Sequence, residues 1–354
     1  MKFKYKNKKI TGVLTIVPKK IVTFEEEMDN YQADKKRTLR LKKVMGYEQH
    51  RIVDDNTCIS DLAVFGMNYL FDKKLLKKED IGAVILVTLS PDYFMPATSN
   101  VIHGILRLPH DVLCMDISQG CAGYIVGLMQ SFAILDQLEN KKVVLINADV
   151  LSRKTCKEDR NSWPLIGDAA SITIIENAKH NAEIIGEIKF DGTGSDALKI
   201  PAGGFKIPST PETAIMTEDD QGNKRSLDNL VMNGGEVFHF MQTVVPPFIN
   251  ELLNQNGITN EEINYYLFHQ PNKFMVEKLA DAMDVPYEKM PSNIVTYFGN
   301  ASGVTIPTNI CYNLGDKLLE KKYKVCLAGF GVGLTWGAII MELGNFHFCD
   351  IIEF

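Results

Sequence analysis

Cys121 stands in the run Val112-Leu-Cys-Met-Asp-Ile-Ser-Gln-Gly-Cys121-Ala-Gly-Tyr. An apolar, strand-like stretch ends at Ser118, a Gln-Gly turn follows, and a helix-forming segment opens at the cysteine. A thiol in the first turn of a helix faces unpaired backbone N–H groups and the positive end of the helix dipole. That position favours thiolate and makes the sulfur a better nucleophile. Gly120, Ala122 and Gly123 leave room for a substrate carbonyl. The alternative is a small buried hydrophobe, the commonest fate of a free cysteine.

Two further segments carry polar groups suited to the same chemistry. In Tyr265-Tyr-Leu-Phe-His269-Gln-Pro-Asn272 the histidine ends a strand-like run, and Pro271 stops regular pairing before a new helix. In Val295-Thr-Tyr-Phe-Gly-Asn300-Ala-Ser-Gly an amide is displayed between small residues. Taken singly, His269 reads as a satisfied structural histidine and Gly-Asn as a turn.

The elements that must position these groups follow from hydrophobic patterning. Apolar runs at 83–89, 112–117, 143–148 and 171–175 recur in the second half at 264–269, 324–329 and 338–343. Continuous runs of this length suit strands covered on both faces. Helical patterns at 122–138 and 238–254 lie between them, an alternation expected of an α/β fold. Both halves follow a strand, a helix and a final pair of strands. The chain is divided near residue 180, into 1–180 carrying the cysteine and 181–354 carrying the histidine and asparagine. Residues 191–235, rich in Gly, Pro, Asp and Ser, read as an insertion that either covers a channel or is a solvated connector.

Composition sets limits. The chain has 354 residues, 45% of them hydrophobic, and a net charge of −6, which gives no footprint for nucleic acid. No apolar run approaches the ~20 residues of a membrane span. The basic N-terminus leads into no signal-like apolar segment. Seven cysteines without C-x-x-C spacing suggest buried thiols in a reducing cytoplasm. No cluster has metal-ligand spacing. Gly329-x-Gly-x-Gly precedes a strand, which argues against a dinucleotide site.

Taken together, Cys121, His269 and Asn300 match a known arrangement. The chain resembles the beta-ketoacyl-acyl carrier protein synthase III family of thiolase-like condensing enzymes. The resemblance rests on Met45-Gly-Tyr-Glu-Gln-His-Arg51, Met95-Pro-Ala-Thr-Ser, the Cys121 segment and Asp149-Val-Leu-Ser-Arg. It continues through Ile166-Gly-Asp-Ala-Ala, Met232-Asn-Gly-Gly-Glu-Val-Phe238, His269-Gln-Pro-Asn, Gly299-Asn-Ala-Ser and Gly329-Phe-Gly-Val-Gly-Leu-Thr-Trp-Gly-Ala338. It implies a five-layered αβαβα sandwich of two similar halves with the active site between them, assembled as a homodimer.

The resemblance also implies roles. Cys121 carries the acyl group, while His269 and Asn300 stabilise the enolate left when a malonyl thioester loses CO2. The backbone N–H groups of Cys121 and Val332 form an oxyanion hole. Arg160 and Asn272 contact CoA or pantetheine, and Leu151, Ile166 and Val332 line the acyl pocket. Met95 matches a residue that relatives insert across the dimer interface. The implied substrates are an acyl-CoA or acyl-carrier thioester and malonyl-acyl carrier protein, with no cofactor and no metal.

The chain departs from the family near the mouth. A tryptophan that stacks on adenine has Arg40 as its nearest equivalent, and Val44 replaces a usual arginine. The run Lys35-Lys-Arg-Thr-Leu-Arg-Leu-Lys-Lys43 is either a solvated helix face or a dock for an acidic acyl carrier protein. In the second case Arg40, Lys43, Lys273 and Lys278 share one surface. Two other functions stay open here. One is transfer of the Cys-bound acyl group to a hydroxyl or amine, and the other is a non-catalytic subunit of a condensing heterodimer. A condensation without decarboxylation would need a glutamate base, and no glutamate stands in a matching motif.

Overall fold

Alternate residues of the buried strands point to two different cores. The computed structural model describes residues 1–31, 35–179, 183–220 and 222–354. On strand β5 (Lys142–Asp149) Val143 and Leu145 belong to a central core, while Val144 and Ile146 belong to an outer one. On β9 (Lys322–Gly331) Val325 and Leu327 join the same central core, and Cys326, Ala328 and Phe330 face a third. The side-chain period of two thus makes each sheet the wall between two apolar layers.

The remaining strands complete two sheets. They are β1 (Lys2–Tyr5), β2 (Lys8–Val17), β3 (Ile81–Val87), β4 (Leu113–Ile117), β6 (Ala169–Asn177) and β7 (Ile184–Phe190). To these are added β8 (Tyr265–Phe268), β10 (Thr335–Gly344) and β11 (Phe348–Glu353). One sheet has the order β11-β2-β6-β5-β3-β4 and the other β1-β7-β10-β9-β8. In each, a parallel pair (β3 with β5, β8 with β9) leads into an antiparallel hairpin (β5-β6, β9-β10). The repeated order expected from sequence is therefore present.

The halves exchange their ends. β1 pairs with β7 in the second sheet, and β11 returns to pair with β2 in the first. The division expected at 180 lies outside the described residues.

Helices α2 (Ile59–Asp72) and α3 (Thr98–Leu106) cover the outer face of the first sheet. Helices α5 (Gly234–Gln255) and α6 (Lys273–Met283) cover the second. Between the sheets lie α4 (Gly123–Leu135) and α7 (Thr305–Asn313). No residue of α4 is exposed, as a helix apolar all round requires. The result is five layers, α-β-α-β-α. The insertion at 191–235 is neither solvated nor irregular throughout. It forms the short pairs Leu198–Lys199 with Val231–Met232 and Thr217–Glu218 with Lys224–Arg225, and its last two residues already belong to α5.

Candidate active site

The inner helices bring the chemistry to the sheet interface. Cys121 sits on the turn between β4 and α4, where the Gly123 N–H donates to the Gly120 carbonyl at 2.7 Å. The helix opens at Gly123 with Ala122 as its N-cap, not at the cysteine as expected. The end of β9 lies directly against the sulfur. A Cβ on Gly331 would stand 2.6 Å from Cys121 Sγ, so only glycine permits this approach. That contact brings the Val332 N–H onto the thiol.

The expected bias toward thiolate is not what the surroundings of the sulfur give. Burial pushes the Cys121 thiol up, and the nearby Asp149 carboxyl adds to the rise. The Val332 N–H, the cysteine's own N–H and the Ser302 hydroxyl oppose it. The sulfur lies one residue ahead of the helix cap and deep between the sheets, so desolvation outweighs the donors.

His269 follows β8, its backbone N–H bonded to the Ala328 carbonyl at 2.8 Å. The ring is buried and packs edge-on against Phe330. Its Nδ1 is 2.7 Å from Thr305 Oγ1. Burial holds its pKa down at about 3, partly offset by the Ser302 carbonyl. The imidazole is therefore neutral at physiological pH. Thr305 has one hydroxyl proton and two acceptors, Nδ1 and the Ser302 carbonyl at 2.9 Å. When that proton goes to Nδ1, Nε2 carries the ring's N–H.

Asn300 bonds through its backbone to the Leu165 carbonyl (2.6 Å) and the Gly167 N–H (3.2 Å), opposite Ile166. The Ser302 N–H donates to its Oδ1 at 2.9 Å. Pinning the oxygen end leaves Nδ2 as the group free to donate. Ser302 itself is buried with φ +53°, left-handed for a side chain that is not glycine. Its N–H fixes Asn300, its carbonyl faces His269, and its hydroxyl lies beside Cys121. The three polar residues recognised in the sequence thus meet at a fourth that was not singled out.

A cavity of about 1180 Å³ opens onto Cys121, Asn300, Ser302 and Val332. Leu151, Ile166, Arg160 and Asn272 line it, and Asn272 also caps α6 by accepting the Met275 N–H at 2.9 Å. Met95 is 84% exposed and outside the cavity of its own chain. The insertion lines the cavity with Leu198, Leu230, Val231 and Met232, which makes it a cover. It is tied down by Arg225, which bonds Asp159 at 3.1 Å and Asp219 at 2.8 Å.

At the mouth stands helix α1 (Lys35–Met45), contributing Leu41 and Met45. Gly46 packs so closely on Lys273 that a Cβ there would come within 2.4 Å of the lysine's, which joins α1 to the start of α6. Arg40 and Lys43 are exposed. Lys273 pairs with Glu277 at 3.8 Å and Lys278 with Asp281 at 2.8 Å, so part of the expected basic surface is locally neutralised.

A sandwich of this order, with thiol, imidazole and carboxamide gathered between its halves, is the thiolase-like architecture of condensing enzymes. Residues 115–194 match the family described as 3-Oxoacyl-[acyl-carrier-protein (ACP)] synthase III, and residues 253–343 match its C-terminal part. A beta-ketoacyl-[acyl-carrier-protein] synthase III of Clostridium perfringens is 31% identical, covering 96% of this chain and 100% of that one. A Campylobacter jejuni protein provisionally named 3-oxoacyl-[acyl-carrier-protein] synthase 3 is 31% identical over 99% of this chain and 98% of its own length. The crystal structure of a 3-oxoacyl-(acyl-carrier protein) synthase from Burkholderia xenovorans superposes with a TM-score of 0.92 at 30% identity, covering 100% of this chain and 99% of that one. The chain belongs to the 3-oxoacyl-[acyl-carrier-protein] synthase III family of condensing enzymes. Among the described residues, no helix is long and apolar enough to cross a membrane.

Proposed function

We propose that the protein loads an acyl group from a CoA or phosphopantetheine thioester onto Cys121 and condenses it with malonyl-acyl carrier protein, releasing CO2. The product is a 3-oxoacyl thioester on the carrier, made in fatty-acid initiation or a specialised acyl pathway. The observation that carries this reading is the set of polar groups gathered at Ser302 beside one thiol. The N–H groups of Cys121 and Val332 address the thiol, while Asn300 and His269 are set by Ser302 and Thr305.

The chemistry follows from that set. Cys121 attacks the acyl carbonyl, and the two backbone N–H groups stabilise the oxyanion as the first thiol leaves. The malonyl thioester then enters. Loss of CO2 places negative charge on its thioester oxygen, where Asn300 Nδ2–H and His269 Nε2–H donate. A neutral imidazole and a carboxamide polarise that oxygen without delivering a proton to the carbanion, which is left to attack the Cys121 acyl group. Arg160 and Asn272 guide the pantetheine arm, and Leu151, Ile166 and Val332 bound the acyl end.

In this reading the acidic carrier docks at the mouth. Exposed Arg40 and Lys43 are its main contacts there, with Lys273 and Lys278 secondary because each has an acidic neighbour. A homodimer in the cytoplasm completes the picture. Tyr93, Phe94 and Met95 are exposed beside Phe205, whose ring lies 5.3 Å from that of Phe94, and β4 is an open sheet edge. These features suit Met95 reaching toward a second copy.

Intact-mass analysis after incubation with a panel of acyl-CoA and acyl-carrier thioesters tests the loading step. Malonyl carrier protein is then added and CO2 is measured. An adduct on Cys121 discharged with one CO2 per turnover is expected. Discharge to a hydroxyl or amine without CO2 would overturn the condensation.

A further inference from the structure

The inner face of β5 breaks its own pattern. Val143 and Leu145 point into the central core, and the next two residues with that orientation are Asn147 and Asp149. Both are buried. Asp149 Oδ1 accepts from the Leu89 N–H (2.8 Å), Ser90 Oγ (3.1 Å) and Thr88 Oγ1 (3.2 Å). All these bonds fall on Oδ1, and Oδ2 takes none of them. Burying a carboxyl beside a nucleophile is costly and needs a reason.

Ser302 supplies the link. Its hydroxyl is buried and makes no full hydrogen bond, yet it lies close enough to both Asp149 and Cys121 to act on each. A Cβ on Gly120, the neighbour of the nucleophile, would stand 3.2 Å from Ser302 Oγ. The left-handed backbone of Ser302 is what holds the hydroxyl there. Asn147 and Ser171, which face each other across β5 and β6, also have buried polar atoms without partners. Four buried polar atoms on these three residues thus have no hydrogen-bond partner.

We infer that Asp149, acting through the Ser302 hydroxyl, is the base that takes the proton of Cys121 during acyl loading. The S–H proton passes to Ser302 Oγ as the hydroxyl's own proton passes to Asp149. The thiolate attacks the acyl carbonyl, and the S–C bond to the first carrier breaks. The proton returns through Ser302 to the leaving thiolate, which departs as a thiol with Asp149 again an anion. No oxidant or co-reactant is needed. Ser302 lies beside the reacting sulfur, and Asp149 acts through it.

The titration of the pair fits this role. Burial raises the Asp149 carboxyl to about 7, held against a further rise by Leu89, Ser90, Ser302 and Thr88. A base that titrates near the working pH is the most effective proton acceptor. The groups facing Asp149 are Thr88, Leu89 and Ser90 after β3, Ser302 before α7, and the titratable thiol of Cys121 ahead of α4. His269 meets Ser302 at its backbone carbonyl. Its low pKa and bond to Thr305 leave it poorly suited to take the thiol proton.

The inference rests on Cys121 being the nucleophile, and the test separates the two. Acetyl-CoA loading and iodoacetamide alkylation of Cys121 are timed by mass spectrometry from pH 5.5 to 9.5 in wild type, Asp149→Asn and Ser302→Gly. Glycine accepts the backbone angle of residue 302 while removing its hydroxyl. In wild type both rates should rise through an inflection near pH 7. In each variant the rate at pH 7 should fall at least tenfold and the inflection should move to higher pH.

A merely nearby charge predicts the opposite sign for Asp149→Asn. Removing an anion beside a thiol makes thiolate easier to form, so the inflection would move down. An inflection that stays or moves down in either variant overturns the relay while leaving Cys121 as the nucleophile. Should Asp149→Asn not fold, the proton inventory of wild-type acetyl-CoA loading in mixed H2O and D2O decides: two protons moving together through Ser302 give a curved dependence, and a linear one overturns the relay. Absence of any adduct on wild-type Cys121 overturns both.

Discussion

Replacing Asn300 by aspartate tests the enolate site more sharply than truncating it. Ser302 donates to Asn300 Oδ1 at 2.9 Å, a bond that a carboxylate oxygen accepts equally well. The backbone bonds to Leu165 and Gly167 do not involve the side chain. Shape and anchoring are therefore kept, and only the Nδ2 donor is exchanged for an anionic oxygen. Loss of one preorganised donor costs about 2.7–4 kcal/mol, or ~10²–10³ in rate, and this part is shared with Asn300→Ala.

The aspartate adds repulsion. Two like charges ~4 Å apart interact by about 4 kcal/mol at an effective dielectric of about 20, less where water enters the cavity. Decarboxylation by Asn300→Asp should thus fall at least ~10-fold below Asn300→Ala. Loading of Cys121 uses the N–H groups of Cys121 and Val332, so it should change by less than about tenfold in Asn300→Ala. The assay follows the mass adduct and CO2 from malonyl carrier protein in the same samples. Equal decarboxylation by the two variants would refute the donor role, and so would loss of loading in parallel with CO2 release.

Gly331→Ala places a methyl 2.6 Å from the sulfur, so acyl loading should drop at least ~10-fold, with about 1–3 kcal/mol lost in a denaturant melt. Thr305→Val keeps the shape but leaves His269 Nδ1 unpaired, so condensation should fall ~10–100-fold while the Cys121 adduct still forms, as single-turnover mass spectrometry will report. His269, at about 3 in the fold and ~6.5 unfolded, takes up its proton first in the unfolded chain. Stability is therefore lost as pH falls from about 6.5 toward 3, and His269→Gln should flatten thermal midpoints across that window. Asp149, near 7 in the fold and ~3.9 unfolded, binds more protons when folded, so stability declines as pH rises from about 4 to 7. Asp149→Asn should gain in midpoint relative to wild type across that interval and hold the gain above it.

Much of the fold was legible because buried strands and inner helices leave strong apolar signals. The runs at 83, 143, 264, 324 and 338 all became strands, and the segment from 122 became the central α4. β1, β2, β7 and β11 went unassigned. Lys2–Tyr5 and Lys8–Val17 are interrupted by lysine, threonine and glycine, and their places depend on strands far along the chain. For the segment from 191 the sequence left cover and connector open, because it lines the cavity with single apolar residues set among turns. Cys121, His269 and Asn300 were legible through motif order. The direction of the thiol's shift was not, because it depends on what stands behind the sulfur. That information was present in part: the alternation Val143, Leu145, Asn147, Asp149 puts a carboxyl where an apolar residue belongs.

One residue carries three incompatible demands, and this explains its strained backbone. Ser302 must aim its N–H at Asn300, its carbonyl toward His269 and Thr305, and its hydroxyl back at the thiol. An ordinary helical or extended residue does not spread three polar groups toward three different elements in this way. The left-handed conformation at φ +53° does, at a cost of about 1–3 kcal/mol that the surrounding packing must offset. Glycine would adopt this angle without strain, so stability alone would select it. A serine at such a site is therefore explained by its hydroxyl, and Ser302→Gly should fold at least as well as wild type while losing reactivity at Cys121. Were the variant less stable and equally reactive, the hydroxyl would be a packing group and the strain would have no chemical purpose.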